Sequence, residues 1–341
     1  MKKRILTAVA AVILLALLLA FFQALVRPKY TDNAEGALIG EYYLEKNKDH
    51  DVIFVGDCEV YESFVPAVLW EEYGIRSYVR GSAQQLVWQS YYLLEETFCY
   101  EQPKAVVYNV LALKYGVPQN EAFNRMTLDG MKWSSSKVKA VRASMTEDEH
   151  FLDYVFPLLR FHSRITSLTG EDFRYLFSAP SVSYDGYLMK TGVVPMSGEQ
   201  EAGRELTDYT LPATSMDYLE RMRALCEKNG AELILIKAPT NSWGYWWYDE
   251  WDRQVVDYAA EHDLRYYNFI PDAGAIGIDW TTDTYDAGVH LNVSGAEKMT
   301  RYFGAILAEK HDLADLRGKC ETSGAWDRKA ADYRRAKENA Q

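Results

Sequence analysis

An apolar run near the start of the chain constrains it more than any other feature. Ile5 to Val26 is a nearly unbroken apolar stretch of 22 residues. As a helix rising about 1.5 Å per residue it covers roughly 33 Å, enough for a bilayer hydrocarbon core of about 30 Å. Lys2, Lys3 and Arg4 precede it, which predicts a cytoplasmic start and an exported remainder. Arg27 and Lys29 follow it and weaken that asymmetry. A cleaved signal peptide is the rival reading. It calls for a shorter apolar region and a small-x-small cleavage site. This run instead ends Phe21-Phe22-Gln23-Ala24-Leu25-Val26. The expectation is an uncut single-pass anchor spanning 1–27, in a cell membrane, with the rest of the chain extracytoplasmic.

The rest is long enough, among 341 residues, to bury its own core without disulfide staples. A net charge of −12 argues against a nucleic-acid partner, because phosphate neutralisation needs a basic face. The 25 Tyr and 9 Trp suit stacking on sugar rings, but core filling accounts for them better. Cys58, Cys99, Cys226 and Cys320 have neither zinc-site nor redox-motif spacing. The six His show no ligand spacing on one face, and no phosphate loop of the Walker type is present. No metal and no cofactor is therefore expected.

Residues 28–50 read as a polar stalk running into a short helix. From Asp51 the pattern alternates. Asp51–Val55, Ser77–Arg80, Ala105–Val110, Glu232–Ile236 and Arg265–Phe269 read as strands, short apolar or β-branched runs bounded by Gly, Pro or polar residues. Helices are expected at Pro66–Tyr73, about Gln84–Tyr100, Met216–Asn229, Asp249–His262 and Ser294–Glu309, the last with Ser294 as N-cap and Glu297 closing a capping box. Alternating strands and helices imply a parallel sheet with helices on both faces. Between about 114 and 208 the pattern breaks, which predicts an insertion after the third strand. The domain would occupy 51–310. The segment 311–341 is highly charged and expected to fray.

Ligands of open parallel sheets bind at the carboxyl ends of the strands. There the first strand ends Gly56-Asp57-Cys58-Glu59, the second Gly81-Ser82, and the third at Asn109. Asp286-Ala287-Gly288-Val289-His290-Leu291-Asn292 precedes the last helix. A thiol, a backbone donor, an amide, and an imidazole with a nearby carboxylate are the parts of an acyl-transfer site.

These residues resemble the SGNH/GDSL hydrolase superfamily over about Asp51 to Leu307. Within it the chain is most similar to membrane-anchored cell-envelope proteins related to the D-alanyl transfer protein of teichoic acid synthesis. The resemblance implies a flavodoxin-like three-layer α/β sandwich with a parallel sheet of about five strands. It implies Cys58 at the nucleophile position, where the family has serine, with His290 as base and Asp286 as its partner. It implies oxyanion donors from Cys58, Gly81 and Asn109. Asp286 sits four residues before His290, where the family spacing is three. The implied function is acyl transfer or ester hydrolysis on cell-envelope glycans, with a multipass membrane acyl exporter as partner. The alternative is a non-catalytic SGNH-like envelope protein that binds polysaccharide or scaffolds an acylation complex.

Each residue also has a plainer explanation. Cys58 at a strand end suits a small buried hydrophobe, and His290 a helix cap. Asp283 rivals Asp286, and Ser63 rivals Cys58. Asn109 suits a turn cap. The match of Asn292-Val293-Ser294 to a glycosylation sequon is taken as chance. Asp57 and the inserted Arg125, His162 and Arg164, with Lys132 and Arg160 nearby, are candidates for holding an anionic or sugar substrate, or are solvated faces. Trp243, Trp246, Trp247 and Trp251 suit a glycan platform or a membrane-facing rim.

Overall fold

A computed structural model describes residues 2–28, 35–178, 181–196, 203–242 and 246–340. Helix α1 (Lys2–Val26) is long and apolar enough to cross a membrane, with mean hydropathy 3.0 over its most apolar window. It is followed by α2 (Glu35–Glu41). The alternating part runs β1 (Val52–Gly56), α3 (Cys58–Tyr61), α4 (Pro66–Tyr73), β2 (Ser77–Gly81), α5 (Val87–Tyr100) and β3 (Ala105–Asn109). Five short helices follow: α6 (Glu121–Leu128), α7 (Ser135–Ser144), α8 (Phe151–Val155), α9 (Pro157–Phe161) and α10 (Gly170–Phe177). The alternation resumes with α11 (Ala213–Lys228), β4 (Glu232–Lys237), α12 (Asp249–Glu261), β5 (Arg265–Asn268) and α13 (Ala273–Ile276). Helices α14 (Val293–Lys310) and α15 (Ser323–Ala340) complete the chain.

The five strands pair in the order β2-β1-β3-β4-β5, all parallel. This is the flavodoxin-like order, in which the chain reverses winding direction between β1 and β3. A strand buried on both faces needs no polar alternation, and β1 accordingly reads Val-Ile-Phe-Val-Gly. Val52, Phe54, Val107 and Ile236 point to one face, against Leu69 of α4 and Met299, Phe303 and Leu307 of α14. Ile53, Val55, Val106 and Leu235 point to the other, against Leu93 of α5, Leu219 and Met222 of α11, and Val255 of α12. The result is three layers, with the insertion following β3 as expected.

Three sequence expectations change. The stalk is packed from α2 onward: Leu38, Ile39 and Tyr42 are buried in the two cores. The charged tail is a structural helix. Trp326, Ala330 and Tyr333 recur at i, i+4 and i+7 and bury one stripe of α15 against α4. The Trp70 indole donates to Asp327 at 2.8 Å, and the Tyr333 hydroxyl to Glu297 at 2.9 Å. That second bond explains the third change. Glu297 serves α15, and the N-cap of α14 is Asn292, whose side chain accepts from the Ser294 and Gly295 amides. Asn292 is buried, and its amide donates to Gly192 O and Thr282 O, which leaves no room for a glycan.

The tail makes a direct prediction. Trp326→Phe is expected to lower stability by about 1–3 kcal/mol, the usual range for trimming a packed core side chain. Urea unfolding of the full chain in detergent measures it. A frayed tail would give no change.

Candidate active site

The turn after β1 is built by close approach. Gly56 ends β1 at φ +155°, and a Cβ there would meet Val60 Cγ2 at 2.6 Å and Asn109 Cβ at 3.1 Å. Gly81, opposite Gly56 in the ladder, packs onto the same turn: a Cβ would meet Gly56 O at 3.1 Å and Asp57 O at 3.3 Å. Asp57 caps α3, its Oδ1 accepting the Glu59 amide at 3.1 Å. Cys58 is therefore the first residue of a helix, where backbone amides have no intrahelical acceptor.

The histidine loop reaches the same place from the other end of the domain. Ala287 and Gly288 take left-handed φ values and curl the loop back on itself. The four-residue spacing lets Asp286 grip His290 twice. Oδ1 accepts the His290 amide at 2.8 Å, and Oδ2 lies 2.6 Å from Nδ1. The imidazole and the Cys58 thiol also interact electrostatically. With Nδ1 engaged by Asp286, Nε2 is the nitrogen left to serve the sulfur. The rivals are occupied elsewhere: Asp283 accepts from Lys298 and from the Asp279 amide, and Ser63 is buried beside Thr300.

Two partners had no mark in the sequence. Glu62 lies one helical turn after Cys58 and is buried, with Oε2 3.5 Å from His290 Nδ1. Tyr285 stacks on the His290 ring at 6.1 Å between centroids, and its hydroxyl donates to Glu62 at 2.8 Å. Burial alone would lower the His290 pKa. The Cys58 thiolate charge, the Asp286 hydrogen bond and the Glu62 charge outweigh it and push it up to about 12. Burial pushes the Cys58 thiol up, and His290 partly offsets that. Asp286 is opposed by burial, but its bonds to His290 hold it below its usual value. At Cys58 burial outweighs His290, so the thiol is the favoured form and His290 lessens the cost of ionising it.

Glu62→Gln should show in the pH dependence of stability. The His290 pKa is raised in the folded state, so its stabilisation is full below 6.5 and declines as pH rises toward about 12. Without the Glu62 charge the folded value is lower, so the decline above 6.5 should level off at a lower pH and be smaller in total. Denaturant midpoints across that range test it. Parallel curves for both proteins would show that Glu62 does not act on His290.

Beneath the thiol lies a buried polar network. Asn109 Nδ2 donates to Asp57 Oδ1 at 3.1 Å and to Glu59 Oε2 at 2.9 Å, and its Oδ1 accepts the Ala238 amide at 3.0 Å. Lys237, at the end of β4, donates to both Glu59 oxygens at 2.8 and 2.9 Å. Burial and the Glu59 charge raise the Asp57 carboxyl to about 7, against the opposing pull of Lys237 and Asn109. Lys114, just after β3, interacts with the charges of Glu59, Asp57 and Cys58.

Several expected roles are corrected by these contacts. Both amide protons of Asn109 are committed to carboxylates, so it braces the turn and is not an available oxyanion donor. Asp57 is a buried cap, not a substrate contact. Arg125 is buried inside the insertion, over the Tyr154 ring at 3.9 Å and bonded to Glu121 at 2.8 Å. The exposed His162 has Nδ1 3.2 Å from Leu159 O, and Arg164 donates to Val26 O of α1 and to Asp172. These three belong to the insertion and the anchor, not to the Cys58 site. Trp243 lies outside the described residues. Trp247 is buried, and Trp251 packs on Trp247 and Tyr248, so they form a cluster and not a flat platform. All four cysteines are free thiols.

The thiol is not at the floor of an open cleft among the described residues, because Cys58 is only 5% exposed. The histidine side is more open, at 12% for the His290 side chain and 28% for Asp286. Met196 and Asn241 close over Gly288 beside it. No protein-family model matches the chain, and no curated protein does.

Proposed function

We propose that this protein transfers or hydrolyses acyl groups on cell-envelope glycans, on the outer side of a membrane in which α1 anchors it. On this reading it is a relative of the SGNH/GDSL hydrolases in which cysteine replaces serine, working beside a multipass acyl exporter. The observation that carries the proposal is the His290–Asp286 hydrogen bond with its electrostatic coupling to Cys58, assembled from opposite ends of the domain at the carboxyl edge of a parallel sheet.

The thiol proton passes to His290, and the sulfur attacks the carbonyl carbon of an acyl ester. The tetrahedral oxyanion is received by the amides of Cys58 and Gly81, with the Lys114 charge nearby. When the carbon–oxygen bond breaks, the leaving alkoxide takes the proton from His290 and leaves a thioester on Cys58. An acceptor hydroxyl, or water, then gives its proton to His290 as its oxygen attacks the thioester. The departing thiolate recovers that proton. Asp286 stays ionised throughout and holds the ring in place.

The burial of Cys58 favours a second reading, a non-catalytic envelope protein that binds polysaccharide or scaffolds an acylation complex. Labelling with a thiol-reactive acyl ester separates the two: an enzyme labels at Cys58 in a His290-dependent way, and a binding protein does not. Sidedness is tested separately. A C-terminal reporter that works only in the cytoplasm should be silent, and an active one removes the exported reading.

A further inference from the structure

We infer that the helices of the insertion form a second membrane contact, seated in the lipid interface of the bilayer that α1 crosses. The inference rests on α1 crossing a bilayer, and not on the chemistry of Cys58. Along α1, residues 2–22 are exposed, and cover begins at Gln23 and Ala24 and is complete at Leu25 and Val26. The cover is the insertion: α9 and α10 both pack against α1. The Leu158 amide donates to Gln23 Oε1 at 2.8 Å, and Arg164 donates to Val26 O at 2.8 Å. The exposed apolar stretch from Ile5 to Phe22 is about 27 Å long at the helical rise, close to a hydrocarbon core of about 30 Å. The bilayer surface therefore falls at about Gln23, the level at which α9 is fixed.

At that level the insertion exposes Leu152, Phe156, Leu159, Ile165, Phe173 and Phe177. Phe173 and Phe177 are one turn apart on α10, and Leu152 of α8 is four residues before Phe156, which joins α8 to α9. In water such a patch is a liability. Beside the end of a spanning helix it is the apolar face of an interfacial element, of the kind that enters the headgroup–acyl boundary by roughly 5–10 Å. Helices α9 and α10, which carry part of it, pack directly on α1, which is why lipid is its occupant. Its arginines are already matched: Arg160 with Glu121, Arg164 with Asp172 and Arg174 with Glu171. The attraction is thus apolar, and anionic headgroups are not required. Held by α1 and by this patch, the domain would sit at a fixed height and tilt above the bilayer.

The test uses the full chain in phosphatidylcholine vesicles that contain a phospholipid with a photoactivatable diazirine on its acyl chain. Adducts are mapped by mass spectrometry after digestion. Adducts are expected in residues 5–22 and in 152–177, unchanged when phosphatidylglycerol is added. The double variant Phe173→Glu, Phe177→Glu, whose sites are exposed, should keep its circular dichroism and its α1 adducts. Its 152–177 adducts should fall at least about fivefold. Adducts on α1 alone would overturn the second contact, as would 152–177 adducts that survive the double variant. Crosslinks from 152–177 to a co-purified membrane protein in place of lipid would overturn it too. An unlabelled α1 would remove the membrane reading beneath it.

Discussion

Cys58→Ala is expected to have no acyl turnover, and His290→Ala to lose at least about 10²–10⁴-fold, the usual contribution of a positioned general base. Both variants should fold. Cys58 contributes one small side chain to a large core, and His290 sits at its edge in a loop. Cys58→Ser should keep partial activity, because an oxygen in the same place still reaches the imidazole. Asp286→Asn should cost less than His290→Ala, since Asp286 orients the ring and transfers no proton. Its second bond, to the His290 amide, should survive in part. The readout is steady-state hydrolysis of an activated ester by the full chain in detergent. A full-rate Cys58→Ala variant would remove the mechanism while leaving the fold intact.

The second large effect lies beneath the site. Lys237 and Glu59 are an ion pair with side-chain exposures of 0% and 1%. Lys237→Met leaves the Glu59 carboxylate buried against Asn109 with its cation gone. Removing one partner of a buried pair typically costs about 3–5 kcal/mol. The double variant Lys237→Met, Glu59→Gln should recover most of that, because a neutral amide can still meet Asn109 and no bare charge remains. The Lys237 ammonium also restrains the Asp57 carboxyl, so its loss should raise that group beyond about 7. Denaturant unfolding of the two single variants and the double variant gives the coupling between the residues. Additive costs would mean that the pair does not act as one unit.

The sheet was legible because β1, β3 and β4 are apolar runs stopped by Gly or a polar residue, and because alternation with helices admits few topologies. Gly56-Asp57-Cys58 and Asp286…His290 were legible for a related reason. Tight turns at strand ends need small residues, and reactive groups stand out there. What supports them was not. Glu59 and Lys237 are 178 residues apart in sequence, and neither carries a mark of its partner. Glu62 and Tyr285 are likewise joined only by the fold. Arg125 looked like a substrate contact because it is basic and its surroundings are aromatic. The Tyr154 ring and Glu121 that surround it are instead what lets an arginine be buried. In the tail, charged residues between Trp326, Ala330 and Tyr333 hid an i, i+4, i+7 stripe. Asn109 stands in the expected place but is engaged by carboxylates that sequence could not locate.

On the proposed mechanism Cys58 carries the acyl group. The most direct test is intact-mass analysis of the full chain after brief exposure to an activated acetyl ester, quenched in acid to preserve thioesters. One acetyl adduct is expected, mapped to Cys58, released by neutral hydroxylamine and absent from Cys58→Ala. Formation should be slowed by at least about 10²-fold in His290→Ala. An unmodified wild-type chain, or an adduct of equal yield in Cys58→Ala, would contradict it.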